Sequence, residues 1–241
     1  MARTPSQRLK GKIALVTGAT RGIGLAIAVA LGHEGAHLIL TARSEAELQR
    51  VSKTVKAPYL LASPCDVRDP YSVDALFRAI RQKFRRLDIL VNNAGIAHAN
   101  LTVENLPFPV WKDVFATNVD GTFLVTQAAL AAMKRGATIV NNLSIAATRV
   151  FPGSAAYNAS KHAALGLTNT LREELRPRGI RVIGLLPGAT DTDIWRTLWP
   201  QAPRRKMMSP ETVANLVVAA IVLPDNATAE TLEVLPSVGT L

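Results

Sequence analysis

The sequence predicts an α/β fold: a three-layer, doubly wound parallel sheet of about seven strands with helices on both faces. Three observations predict it. Short apolar runs alternate with helical patterns along the chain. Most of the runs are continuously apolar, as strands covered on both faces must be. A glycine-rich turn, Thr17-Gly-Ala-Thr-Arg-Gly-Ile-Gly24, separates the first run from the first helical pattern. Such strand–helix–strand units join through right-handed crossovers into one parallel sheet.

The elements follow in order. Residues 12–17 read as a buried strand and 22–33 as a helix. Residues 36–41 are a second strand. The next helix opens at Ser44-Glu-Ala-Glu47, a capping box in which Ser44 and Glu47 satisfy each other's exposed amides. Residues 58–63 make a third strand, and Asp69 then caps a helix with Pro70 at its first position, running to about residue 84. Residues 87–92 are a fourth strand, and one long helix is expected over 110–134. A fifth strand at 137–143 precedes a helix at 155–176, which ends before Pro177. A sixth strand at 180–186, a helix capped at Ser209-Pro-Glu-Thr212 and a last strand at 231–235 complete the series. No linker or repeat divides the chain, so residues 11–241 read as one domain behind a flexible basic arm of residues 1–10.

Composition narrows the function. The 241 residues are 48% hydrophobic and 19% charged, enough to fill a sizeable core. Cys65 is the single cysteine, which excludes an internal disulfide framework and fits a reducing, cytoplasmic setting. It reads as a small buried thiol. The longest clean apolar run, residues 216–223, is too short for a bilayer, and the polar N-terminus has no hydrophobic segment of a secretory signal behind it. The net charge of +10 raises the question of nucleic acid. The basic residues are scattered without interleaved aromatic platforms, so they read as solvated helix faces rather than as a specific nucleic-acid surface. The histidines show no metal-ligand spacing, and no metal is implied.

The turn carries the first chemistry. Gly18 permits the tight turn, Gly22 lets backbone approach a pyrophosphate, and Gly24 allows close helix–strand packing; Thr20, Arg21 and Ile23 ride the same turn. The helix behind it favours phosphate charge. This is the arrangement of the dinucleotide-binding, or Rossmann, fold. A site for NAD usually presents a carboxylate at the end of the second strand. Here the stretch is Leu40-Thr-Ala-Arg-Ser44. Arg21 and Arg43 can converge there, and guanidinium suits a phosphate. NADP(H) is the expected cofactor.

The second chemistry is Ser144, Tyr157 and Lys161, in the spacing Ser-x12-Tyr-x3-Lys. A phenol titrates near 10, too high for work near neutrality. Residues four apart share a helix face, so Lys161 stands beside Tyr157, where an ammonium stabilises the phenolate. Tyr157 is then a general acid for reduction or base for oxidation. Ser144, at the carboxyl end of the fifth strand, can hold the substrate oxygen.

With those motifs the chain resembles the short-chain dehydrogenase/reductase family, in its compact one-domain group, from about residue 11 to 192. Asp66-Val67, Asn92-Asn-Ala-Gly95, Asn118 within Phe115-Ala-Thr-Asn-Val-Asp-Gly-Thr122, and Pro187-Gly-Ala-Thr-Asp-Thr192 carry the resemblance further. It implies that Asp66 and Val67 hold adenine and that Asn93, Ala94 and Gly95 shape the adenosine side. It implies that Asn118 orders a water relaying protons from Lys161, which also bonds the nicotinamide ribose. Pro187, Gly188, Thr190 and Thr192 would hold the carboxamide, with Thr190 standing where the family usually has an apolar residue. The tail Leu232-Glu-Val-Leu-Pro-Ser-Val-Gly-Thr-Leu241 lacks the Gly-Gly element of fatty-acid-type ketoreductases, which leaves a 3-ketoacyl thioester as an alternative substrate.

The reading is an NADP(H)-dependent oxidoreductase acting on a small carbonyl or secondary alcohol; the alternative of another class is a non-catalytic NADP-binding sensor. The substrate pocket is expected from Ile96, His98, Ile145, Phe151, Ile194, Trp195, Leu198, Trp199, Met207 and Met208, with a lid over about 190–208. Trp195 and Trp199 could equally be one packed helix face. Arg196 and Arg204-Arg-Lys206 read as a solvated rim rather than a greeting for anions. Alanine-rich faces on the helices at 110–134 and 155–176 permit close helix approach, and the family forms homo-oligomers through them; a homotetramer is expected, with a dimer as the alternative.

Overall fold

The computed structural model describes residues 7–240. Seven parallel strands make one sheet in the order β3-β2-β1-β4-β5-β6-β7. They are β1 (Ile13–Thr17), β2 (His37–Ala42), β3 (Leu60–Pro64), β4 (Leu87–Asn92), β5 (Met133–Asn142), β6 (Arg181–Pro187) and β7 (Thr231–Val234). The helices are α1 (Gly22–His33), α2 (Glu45–Ser52), α3 (Pro70–Lys83), α4 (Phe108–Phe115), α5 (Gly121–Ala129), α6 (Ala155–Leu175), α7 (Trp195–Leu198) and α8 (Pro210–Ile221).

The continuous apolar strands have a direct cause. In β1, Ala14 and Val16 join a core beneath α1 and α8, while Ile13 and Leu15 join a second core beneath α3, α5 and α6. Successive side chains of a strand point to opposite faces, so both faces are dry only if every position is apolar. A polar ladder crosses the second layer: the Asn92 Nδ2 donates to Thr126 Oγ1 (2.8 Å) and Asn141 Oδ1 (2.9 Å), and Asn141 Nδ2 donates to Thr168 Oγ1 (2.9 Å). These bonds pin α5, β4, β5 and α6 together where an unpaired amide would be costly.

Three expectations need correction. The domain starts before residue 11: Leu9 is buried in the first core and Arg8 pairs with Glu34 at 2.6 Å. The rest of the expected arm, residues 1–6, lies outside the described residues. The single helix over 110–134 is instead α4, a π-helical turn Ala116–Asp120, and α5, which ends at Ala129 because β5 begins at Met133. Hydroxyls open the ladder: Thr117 Oγ1 donates to the Asp113 carbonyl and Thr122 Oγ1 to that of Asn118, each at 2.9 Å. At α2 only half of the capping box forms. Ser44 Oγ accepts from the Glu47 amide (3.2 Å), but Glu47 Oε2 accepts from Thr20 Oγ1 (3.1 Å), a partner that only the tertiary fold brings near.

Candidate active site

Strand order reverses between β1 and β4, so the loops behind their carboxyl ends diverge to opposite faces and leave a crevice. A cleft of about 1000 Å³ opens there. Every residue expected at the catalytic and cofactor positions lines it except Gly24 and Asn118.

At one end stands the glycine turn. Gly18 and Gly22 have φ of +61° and +56°, in the left-handed region that other residues avoid. A Cβ on Gly22 would stand 3.1 Å from Thr192 Cγ2, so Thr192 reaches across to the turn. A Cβ on Gly24 would overlap the Asn93 amide and the Gly18 carbonyl. Asn93 explains the closeness: its Nδ2 donates to the carbonyls of Thr17 (3.0 Å) and Gly18 (3.1 Å), and its Oδ1 accepts from Asn142 Nδ2 (2.8 Å). The main-chain amides of Asn93 and Ala94 donate to Thr17 Oγ1. Asn93 thus brackets the ends of β1, β4 and β5. Helix α1 opens on the cleft with no side-chain cap and no acidic residue in its first turn, unlike α2, α3 and α8, whose caps accept backbone N–H groups. Free amides beside a glycine cradle fit a phosphate-bearing ligand.

Arg21 and Arg43 line this end, and their guanidinium groups form no hydrogen bond or ion pair among the described residues. Ala42 is the last residue of β2, and no carboxylate stands at the strand end. Asp66 also lines the cleft, gripped by Arg68 through its Nε (3.0 Å) and Nη2 (2.7 Å). That grip, chiefly, holds the Asp66 carboxyl below the usual range, with a smaller contribution from the charge of Arg43. Val67 packs on Gly121: a Cβ there would come within 2.6 Å of Val67 Cγ2.

At the other end, Ser144, Tyr157 and Lys161 meet. Ser144 ends the run after β5, and its Oγ accepts from the Ala146 amide (3.1 Å). Tyr157 and Lys161 lie on one face of α6, with Lys161 Nζ 5.6 Å from the Tyr157 ring centre. Burial pushes the Tyr157 phenol above its ordinary value, and a hydrogen bond with the Ser144 hydroxyl opposes that. Burial pulls Lys161 down to about 8. Its ammonium donates to the Asn142 carbonyl at 2.9 Å. Asn118, on the π-turn, has a side chain fully engaged: Oδ1 accepts from the Ile96 amide (2.9 Å), and Nδ2 donates to the Ile96 carbonyl (2.9 Å) and Ser160 Oγ (3.0 Å). This side chain therefore ties the backbone at Ile96 to Ser160 below Gly95, with one lone pair of Oδ1 engaged.

The substrate side is lined by Ile96, Ile145, Phe151, Ile194, Trp195, Leu198 and Trp199. His98, Met207 and Met208 do not line it. His98 is buried with its Nδ1 2.7 Å from the Ala99 carbonyl, and Met208 forms a bridge with Thr190 at the base of the lid. Trp195 and Trp199 prove to be both wall and packed pair, their rings 6.5 Å apart and edge to face. Pro187 and Gly188 line the floor, and Thr190 turns its hydroxyl inward to the Gly188 carbonyl (3.0 Å).

Among the cleft residues that escaped sequence reading are Glu47, Cys65, Arg68, Asn100, Thr117 and Asn142. Only Arg68 had a signal, a guanidinium two residues beyond an acid expected in the site. Among the described residues no group of three or more His, Cys, Asp or Glu side chains could hold a metal ion.

Comparison with known proteins agrees with the geometry. A family model described as short chain dehydrogenase matches residues 12–203. The 3-oxoacyl-[acyl-carrier-protein] reductase of Escherichia coli is 38% identical over 93% of this chain and 96% of its own. A 3-ketoacyl-(acyl-carrier-protein) reductase from Brucella melitensis, solved with NADH, superposes with a TM-score of 0.86 at 30% identity, over 95% of this chain and 98% of that one. An alcohol dehydrogenase from Thermococcus sibiricus, solved with 5-hydroxy-NADP, gives 0.87 at 28% identity, over 94% and 97%.

Proposed function

The chain belongs to the short-chain dehydrogenase family and is an oxidoreductase of that family, and from that premise we propose that it moves a hydride between NADP(H) and a carbonyl or secondary alcohol. The observation that carries the proposal is one cleft with a glycine cradle at one end and Ser144, Tyr157 and Lys161 at the other. The nicotinamide, when bound, supplies the hydride or receives it.

The remaining work falls to the chain. Ser144, oriented by the Ala146 amide, holds the substrate oxygen against Tyr157. Tyr157 gives that oxygen its proton in reduction and takes one from the alcohol in oxidation. Its raised phenol keeps the proton available at neutral pH. Lys161, charged below about pH 8, stabilises the phenolate left behind. Asn118 holds the Ile96 backbone and supports a water relay of protons from Lys161. Arg21 and Arg43, without acidic partners and at a strand end without a carboxylate, favour the 2′-phosphate of NADP. Asp66 and Val67 receive the adenine, while Pro187, Gly188 and Thr192 hold the carboxamide.

A 3-ketoacyl thioester is the second reading of the substrate, favoured by the Escherichia coli relative. The test joins two measurements. Fluorescence titrations with NADPH and NADH compare wild type with Arg43→Ala and the Arg21→Ala/Arg43→Ala pair, and absorbance decay follows a carbonyl panel. The expected result is tighter NADPH binding, weakened about tenfold or more by the arginine variants with little change for NADH. Tyr157→Phe should bind NADPH normally and lose turnover by about 100-fold or more. An active Phe variant would remove Tyr157 from the chemistry. Equal losses for the two cofactors would remove the arginines from phosphate recognition.

A further inference from the structure

We infer that Glu47 is a cofactor-discriminating residue: its carboxylate narrows the margin by which the site prefers NADP over NAD. It opposes the 2′-phosphate of the one and accepts from the 2′-hydroxyl of the other. The inference deepens the NADP(H) reading and rests on it.

Glu47 stands in the first turn of α2, beyond the strand end where a site for NAD usually presents its acid. Its contacts set it between the two arginine-bearing turns. Its main-chain amide donates to Ser44 Oγ (3.2 Å), next to Arg43 in the chain. Its Oε2 accepts from Thr20 Oγ1 (3.1 Å), next to Arg21. The side chain thus joins the turn after β2 to the glycine turn, and Thr20, Arg21, Arg43, Ser44 and Glu47 all line that end of the cleft.

Among the described residues, three carboxylates line the cleft: Glu47, Asp66 and Asp193. Asp66 is paired with Arg68 at 2.7 Å and Asp193 with Arg196 at 3.1 Å. Glu47 has no ion pair among the described residues, and the Thr20 hydroxyl is the partner of its carboxylate. It is therefore the cleft acid whose charge no neighbouring guanidinium takes up, and it lies where the 2′ position of the adenosine ribose is expected. A 2′-phosphate there meets two effects. Repulsion from Glu47 offsets part of the attraction of Arg21 and Arg43. Thr20 also spends its hydroxyl hydrogen on Glu47, which leaves its Oγ1 lone pairs to offer an anion that needs donors. A 2′-hydroxyl meets the opposite: it is a donor, and Glu47 Oε1 is a charged acceptor without a partner among the described residues.

The test is fluorescence titration of NADPH and NADH on the full chain, comparing unmodified protein with Glu47→Gln and Glu47→Ala. Glu47→Gln removes the charge and keeps an oxygen to accept from Thr20; Glu47→Ala removes both. Glu47→Gln should raise the ratio of NADPH to NADH affinity about fivefold, chiefly by tightening NADPH. The gain should shrink between about 0.05 and 0.5 M salt, because the opposed charges are partly solvated. Glu47→Ala should raise the same ratio even if losing the Thr20 bond weakens both cofactors, so the prediction survives the misfolding of either variant. A ratio unmoved by both substitutions overturns the inference and leaves Glu47 as a brace for Thr20. Equal tightening of NADH and NADPH overturns it as well. Titrating Arg21→Ala/Arg43→Ala alongside separates this inference from the reading beneath it. Loss of the NADPH preference in the arginine pair, with no response at Glu47, removes the inference alone. Unmodified protein that prefers NADH, with a ratio that the arginine pair leaves unchanged, removes the NADP(H) reading; a rise in that ratio for Glu47→Gln still upholds the discrimination by Glu47.

Discussion

Lys161 shows how one residue carries opposing demands. Its ammonium is buried, with the Asn142 carbonyl as its hydrogen-bond partner, and burial pulls it down to about 8 from an ordinary 10.5. In the unfolded chain it holds its proton up to about 10.5. The folded state therefore bears the full cost of the buried charge below about pH 8 and sheds it between 8 and 10.5, as the unfolded chain keeps binding the proton that the native state has lost. That cost is about 3 kcal/mol, and the lost bond to Asn142 offsets about 1. Lys161→Met should therefore be more stable than wild type by about 2 kcal/mol at pH 7, with the gap shrinking from pH 8 to 10. Urea unfolding across that range reads it; a gap constant to pH 10 would mean that the ammonium is not strained by burial. At this scale the sequence was legible for Ser144, Tyr157 and Lys161, because i to i+4 spacing on a helix is a local matter. It was not legible for Asn118. Its motif was visible, but the partners that engage its side chain, Ile96 and Ser160, are 22 and 42 residues away.

The elements divide along the same line. The strands and α1, α3, α6 and α8 were readable, because an Asp69 cap, a Ser209 cap and unbroken apolar runs act within a few residues. The break between α4 and α5 was not, since a back-bonding threonine is compatible with both a straight helix and a π-turn. Gly121, at the start of α5, gives that break its tertiary reason. Its bare Cα accepts Val67 from the loop after β3, locking that loop against the turn that bears Asn118. Gly121→Ala puts a Cβ within 2.6 Å of Val67 Cγ2. The expected cost is about 1–3 kcal/mol in thermal or urea unfolding. Adding Val67→Ala should recover part of it, a coupling that a double-mutant cycle detects. Additive losses would show that the two side chains do not meet.

For the whole molecule, the helices leave apolar surface uncovered. Phe108 is 70% exposed on α4 and Phe123 46% on α5, and Ala163 and Gly166 lie bare on the outer face of α6. Our expectation of a homo-oligomer, a tetramer rather than a dimer, belongs at this scale: aromatic surface beside small residues admits a close helix partner. Light scattering behind a sizing column should give a multiple of the 25.8 kDa chain, and Phe123→Glu should lower it. A monomeric wild type would dismiss the expectation. By itself the sequence determined the layered parallel sheet, the glycine cradle and the serine–tyrosine–lysine set, because each is written in short-range periodicity or spacing. Only the tertiary structure decided that Glu47 reaches Thr20, that Arg68 grips Asp66 at the cleft wall, and that Arg196 pairs with Asp193 and Arg204 with Asp191 on the lid. Those outcomes depend on where charges end relative to a buried surface formed by distant segments, and no local pattern encodes that distance.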